Sequence, residues 1–343
     1  MGELFKLKCR IYACMKLRIL FFVILLSHPV FLTEISARPI PRQKIEIPPL
    51  LRKSPVQNNV VELDMSYEFA VPGETHRVSF TIVLPTTMPD RQKIISIKYS
   101  PKPASFFNSN GNCYAQYIFD KPGKQIKIEI KVKAELYRYD LSTAKRNRTK
   151  NNADDSELSD FLVHEKYIEK DDPEIRQIAN GIEGRTKEEI VKNIYGYVIN
   201  HMEYIKNGRK EAGAVKALQE GKGDCSEYSD LFAALCRAKN IPARVVTGYT
   251  LRLDSDSPKH NWVEVYLHDY GWVPFEPSWG DVENPGIQNM AFSRMGPVYV
   301  YLSAVRNDNV LQNYHYASYR YWGDRVTLKD SIELKRLDSP YAK

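Results

Sequence analysis

The chain has 343 residues, enough for two domains of ordinary size, and its 43% apolar and 27% charged residues are the balance of a globular protein. Its net charge of +7 falls to +4 once residues 1–37, with five basic and two acidic side chains, are set aside. That excess is too small to argue for a nucleic-acid partner or for electrostatic attachment to a membrane surface.

Lys16 and Arg18 precede the apolar run from Ile19 to Leu26, and Ser36-Ala37 offers a small-residue exit, so residues 1–37 read as a secretory signal peptide. His28 and Pro29 interrupt the run before it reaches the ~20 residues that span a bilayer. Cleavage is therefore the expectation, and an uncleaved amino-terminal anchor the alternative. Any membrane contact is confined to this segment, and the mature protein is expected outside the cell or in the periplasm and cell envelope. Residues 38–51 form a proline-rich, extended tether.

Residues 52–140 are expected to form a small β-sandwich. Val60–Val71, His76–Leu84, Lys93–Tyr99, Cys113–Phe119 and Gln125–Tyr139 read as strands separated by Pro, Gly and Asn clusters. Ile126, Ile128, Ile130 and Val132 alternate with charged residues, the pattern of a half-buried antiparallel strand. No catalytic constellation lies here, and the domain is expected to act as a spacer or as a wall beside a neighbouring site. Residues 141–157 are polar and read as a linker; Asn147-Arg148-Thr149 within them matches a glycosylation sequon by chance.

A second domain, 158–343, is expected to place helices first and antiparallel strands afterwards, an α+β order. Ile175, Ile178, Ala179 and Ile182 recur at helical spacing, and Thr186 with Glu189 caps a further helix through Ile190, Ile194 and Val198. Ala212–Leu218 is a short third helix. Gly221-Lys222-Gly223 then allows a tight turn, and Asp224 with Glu227 three residues later makes a capping pair, so a helix should begin at Cys225. A thiol there sits among unpaired N–H groups at the positive end of the helix dipole, which favours thiolate. Once residues 1–37 depart, Cys113, Cys225 and Cys236 remain, an odd number that leaves at least one thiol unpaired. Cys225 and Cys236 are about 16 Å apart along one helix and cannot pair with each other.

A nucleophilic cysteine needs a base, and the base needs an acceptor that fixes its tautomer. His260 opens one expected strand and Glu276 ends the next. With a three-residue loop, His268-Asp269-Tyr270, Glu276 falls opposite Trp262, two residues from His260 on the same face, whereas a two-residue loop would point the two side chains apart. His201, His268 and His315 are scattered and lack carboxylate or cysteine partners at ligand spacing, so no metal is expected. No phosphate-binding glycine loop occurs, so no cofactor is expected. The aromatic run Tyr314, Tyr316, Tyr319, Tyr321 and Trp322 reads as packing in an edge hairpin, with lining of a substrate groove as the alternative.

Gly223-Asp224-Cys225-Ser226-Glu227-Tyr228-Ser229, the stretch Asn240 to Tyr249, His260-Asn261-Trp262-Val263-Glu264-Val265 and Trp272-Val273-Pro274-Phe275-Glu276-Pro277 together resemble the transglutaminase-like superfamily. The resemblance covers about residues 158–343. It implies a papain-like α+β core, with Cys225 attacking an amide or ester carbonyl, His260 shuttling the proton and Glu276 orienting the histidine. The family usually has aspartate at the third position; Ser-His-Glu triads on other folds show that glutamate fills this role. Asp281 and Glu264 are fallback acceptors. The implied function is transfer of an acyl group from a protein or peptide substrate through a thioester, with hydrolysis preferred over cross-linking of protein glutamine to an amine. A catalytically silent binding module is the competing reading, and the oligomeric state is not legible in the chain.

Overall fold

A computed structural model describes residues 58–144, 155–205, 211–251, 257–281 and 294–337, together with residues 286, 288, 291 and 292. The expected signal, the tether and the sequon at Asn147 lie outside these residues.

Seven strands come first: β1 (Asn58–Ala70), β2 (Arg77–Leu84), β3 (Gln92–Ser100), β4 (Ser105–Ser109), β5 (Asn112–Asp120), β6 (Gln125–Tyr137) and the short β7 (Tyr139–Asp140). The period-two pattern explains their packing. Along β6, Ile126, Ile128, Ile130, Val132, Ala134 and Leu136 turn inward and are buried, while the intervening residues face out. β1 does the same with Val61, Leu63, Met65, Tyr67 and Phe69. The inward residues of β1 and β6 meet those of β2 and β5 in one hydrophobic cluster, which makes two facing sheets. β4 was not expected from the sequence; it is short and pairs with β5.

The helical part follows as α1 (Asp155–Ser159), α2 (Pro173–Gly181), α3 (Lys187–His201), the two-residue β8 (Glu203–Tyr204), α4 (Ala214–Glu220), β9 (Lys222–Gly223) and α5 (Cys225–Ala238). Thr186 caps α3 by accepting from the Glu189 amide, as its spacing predicts. α5 is buried along nearly its whole length, and Tyr228, Leu231, Phe232 and Leu235 join α2, α3 and α4 in a second cluster. It ends where expected, with Asn240 in the left-handed conformation at φ 56°.

β10 (Ala243–Thr250), β11 (Lys259–Leu267) and β12 (Gly271–Phe275) then form an antiparallel meander. After α6 (Pro277–Gly280) and β13 (Arg294–Met295), β14 (Tyr299–Ser303) completes the sheet in the order β12-β11-β10-β14. The helices cover one face of this sheet, so the domain is α+β.

The expected second domain running unbroken to residue 343 is corrected by the last two strands. β15 (Ala317–Trp322) pairs with β2, and β16 (Thr327–Arg336) pairs with β1. The sandwich sheets are therefore β16-β1-β6-β3 and β15-β2-β5-β4, each with one edge strand from the carboxy-terminal end. The physical reason is local: β1 and β2 each present a free edge after pairing with β6 and β5, and the returning strands cover both. Tyr249, Val300 and Leu302 from β10 and β14 also enter the sandwich cluster, which joins the two layers of the molecule.

Candidate active site

The turn before α5 is built for close approach. Gly221 sits at φ 60° as the left-handed cap of α4, and a Cβ on Gly223 would lie 2.3 Å from the Glu227 Cβ. That proximity lets Glu227 Oε2 accept from the Asp224 amide at 3.0 Å while Asp224 Oδ1 accepts from the Ser226 amide at 2.8 Å. The reciprocal cap fixes the first turn of the helix. Cys225 is the first helical residue and is half-buried. Burial and the adjacent Glu227 push the Asp224 carboxyl up to about 7. Cys236, by contrast, is wholly enclosed in the core and burial pushes its thiol far up; Cys113 is half-buried in the sandwich and is also raised by burial.

The β11–β12 hairpin has the expected register. Leu267 lies opposite Gly271 and Val263 opposite Phe275, so Glu276, the residue just past β12, falls across from Trp262, two residues along β11 from His260. His260 Nε2 lies 2.6 Å from Glu276 Oε2. The Ser278 hydroxyl donates to Glu276 Oε1 at 2.6 Å, and the Tyr299 hydroxyl donates to Oε2 at 3.2 Å. Tyr195, fully buried on α3, donates to the Glu276 carbonyl at 3.1 Å and anchors the backbone beneath the carboxylate. The imidazole is packed among Trp262, Trp279 and Tyr299, with ring centroids 5.6–6.2 Å away. His260 Nδ1 is buried without a hydrogen-bond partner. With Nε2–H given to Glu276, Nδ1 is the basic nitrogen.

Cys225 and His260 line one cleft of about 450 Å³. Its other wall comes from the sandwich: Tyr67 on β1, Tyr316 and Ala317 at the start of β15, and Leu328 and Asp330 on β16. Lys259 crosses the cleft mouth to pair with Asp330. The β-domain thus contributes directly to the shape of the cleft.

The fallback acceptors are engaged elsewhere. Asp281 accepts from the Tyr228 hydroxyl at 2.7 Å and from the Tyr204 amide at 3.3 Å. Glu264 accepts from Arg244 at 2.6 Å and from Arg91 at 3.2 Å; burial alone would raise its carboxyl, but the two guanidinium groups hold it below its usual range. His315 has a carboxylate partner from a distant segment: its Nε2 contacts Glu211, and His315 lines the same cleft as Cys225. Their separation in the chain hid that pairing from a search by spacing. No spacing signal marks Ser278, and the buried Tyr195 and Tyr299 carry the same pattern as core residues. Among the described residues, no group of three His, Cys, Asp or Glu side chains is arranged to hold a metal ion, and no helix is long and apolar enough to cross a membrane.

Residues 176–277 match the family model of the transglutaminase-like superfamily. A stretch of 71 residues is 37% identical to an uncharacterized protein, YebA, of Bacillus subtilis; it covers 17% of this chain and 10% of that protein. A proposed cysteine protease from Cytophaga hutchinsonii has a similar fold, with a TM-score of 0.58 over 84% of this chain and 93% of its own, at 18% identity. The periplasmic domain of TgpA from Pseudomonas aeruginosa aligns over 67% of this chain and 90% of its own, with a TM-score of 0.35 and 13% identity.

Proposed function

With a transglutaminase-like domain at residues 176–277, we propose that this chain is a cysteine-dependent acyl-transfer enzyme acting on peptide or protein amides, with water as its acceptor. The observation that carries this reading is the pairing of His260 Nε2 with Glu276 at 2.6 Å, which leaves Nδ1 as base in the cleft that Cys225 lines.

The steps follow from these groups. His260 Nδ1 takes the Cys225 proton, and the imidazolium is held by Glu276 on its other nitrogen. The thiolate attacks the carbonyl carbon, and the Cys225 backbone N–H at the helix start is a donor for the oxyanion that forms. Collapse breaks the C–N bond as His260 returns its proton to the leaving amine, and a thioester remains on Cys225. Water then gives a proton to His260 and adds to the thioester; the thiolate leaves and is reprotonated, and the carboxylic acid is released. An amine in place of water would give cross-linking. We place the reaction outside the cell or in its envelope, on the strength of the signal-like residues 1–37.

The test is alkylation of the protein by iodoacetamide across pH, read by mass spectrometry, beside Cys225→Ala and His260→Ala. Cys225 should alkylate with an apparent pKa well below the ~8.5 of an ordinary thiol, and His260→Ala should abolish that shift. Reaction at Cys225 no faster than at Cys113 at neutral pH would replace the enzyme with a binding module.

A further inference from the structure

The cleft holds a second histidine–carboxylate pair that the acyl-transfer steps do not use. His315 lies between β14 and β15, on the segment that leads into the sandwich wall. Its Nε2 contacts the Glu211 carboxylate and lies 2.8 Å from Arg306 Nη1. Arg306 reaches from the same segment to α5, where its Nε and Nη2 donate to the two oxygens of Asp230 at 2.8 and 2.9 Å. Its Nη1 also donates to Glu211 Oε2 at 3.2 Å. Asp230 and Arg306 are both buried, so the two charges are fixed against each other.

The other face of the ring leads to the active site. His315 Nδ1 lies 3.2 Å from Thr247 Oγ1 on β10. Thr247 Oγ1 donates to Asn261 Oδ1 at 2.9 Å, and Asn261 Nδ2 donates to Ser226 Oγ at 2.9 Å. Asn261 adjoins His260 and Ser226 adjoins Cys225. The chain therefore ties the first turn of α5 to the strand that carries the base.

Donor counting fixes the direction of this chain. Thr247 has one hydroxyl hydrogen, and the Asn261 carbonyl takes it, since the amide nitrogen faces Ser226. Thr247 can then only accept from His315, so Nδ1 carries a hydrogen whether the ring is neutral or charged. In the neutral ring Nε2 accepts from Arg306; in the charged ring it donates to Glu211. Both states send the same N–H to Thr247.

Resting on the acyl-transfer reading, we propose that His315 is a positioning residue of the Cys225 site: its Nδ1–H orients the Thr247–Asn261–Ser226 chain that holds the nucleophile's helix against the His260 strand. It also makes seating of the sandwich wall a condition for alignment, because the same segment grips α5 at Asp230 and the chain at Thr247. A displacement of about 1 Å between reacting groups is enough to lower a rate about 100-fold.

Asparagine can place an N–H where Nδ1 stands, whereas glutamine reaches only the Nε2 position. The experiment measures the alkylation rate of Cys225 at neutral pH in wild type, His315→Asn, His315→Gln, Thr247→Val and the His315→Gln/Thr247→Val double variant, with thermal unfolding of each. His315→Gln and Thr247→Val should each slow alkylation at least tenfold, the double variant no further, and His315→Asn should stay within a few-fold of wild type. A second measurement, NMR of isotope-labelled imidazole, should find the His315 hydrogen on Nδ1. Reactive wild-type Cys225 with unaffected His315→Gln and Thr247→Val overturns this proposal and leaves the enzyme reading standing. Equal losses in His315→Asn and His315→Gln, or a bare Nδ1, overturn it as well. An unreactive wild-type Cys225 overturns the enzyme reading itself and this role with it, whatever the NMR finds.

Discussion

Replacing Glu276 with glutamine removes a charge while nearly preserving shape, and the groups around the carboxylate set the cost. The carboxylate accepts from His260, Ser278 and Tyr299 and is buried. A glutamine has one acceptor oxygen. If that oxygen faces His260, Ser278 can turn its hydroxyl to accept from the new NH2 group, and the geometry survives without the charge. A hydrogen bond to a charged group contributes about 1.5–3 kcal/mol against about 1 for a neutral one, so the imidazolium loses about 0.5–2 kcal/mol, or roughly two- to thirtyfold. If the NH2 group faces His260 instead, Nε2 must accept, Nδ1 carries the hydrogen, and the base is in the wrong tautomer. The comparable exchange in a serine protease triad lowers kcat about 10⁴-fold. Alkylation of Cys225 by iodoacetamide across pH measures both effects: Glu276→Gln should raise the apparent thiol pKa and slow reaction at pH 6 by roughly two- to thirtyfold in the first arrangement and by more in the second, while thermal unfolding stays cooperative. A variant that alkylates like wild type at pH 6 would refute the assignment of Glu276 as the group that orients His260.

Glu264→Ala should destabilise the protein by about 3–5 kcal/mol in urea unfolding, because it strands the buried Arg91 and the largely buried Arg244 without their shared carboxylate; a loss below about 1 kcal/mol would contradict that reading. Asp224→Asn keeps an oxygen for the Ser226 amide but cannot ionise. Since the folded state binds the Asp224 proton more tightly than the unfolded chain, that contribution is present below about pH 4 and is lost as pH rises through about 7. The variant should therefore gain stability relative to wild type between pH 4 and pH 8, and a difference that is flat or reversed across that range would be the contrary result. Gly280→Ala would set a Cβ 2.0 Å from the Tyr195 hydroxyl that supports the Glu276 carbonyl. It should slow Cys225 alkylation as well as lower the melting temperature, and unchanged alkylation would show that this support is dispensable.

The parts of the site that were legible in the sequence are those set by neighbours along the chain. Asp224 and Glu227 cap the helix at Cys225 because both act within one turn. His260 and Glu276 meet because a three-residue loop dictates the register of a hairpin. The parts that were not legible depend on distant segments. His315 finds Glu211 and Thr247 only because the connection after β14 folds back over α5, and no spacing rule encodes such a contact. β15 and β16 pair with the sandwich and not with the sheet that precedes them, a choice the chain does not spell out, because an edge strand's pattern says that it pairs, not with which partner. Tyr195 and Tyr299 share the aromatic pattern of core residues, and only their hydroxyl contacts distinguish them.

Cys225 is proposed to carry an acyl group from an amide donor to water through a thioester. The direct measurement is mass spectrometry of the intact protein, quenched in acid after brief mixing with peptide amides, glutamine-containing peptides and activated esters. An added acyl mass should appear on Cys225 that hydroxylamine removes, absent from Cys225→Ala and strongly reduced in His260→Ala. No adduct on Cys225 with any of these donors, or an equal adduct in His260→Ala, would contradict it.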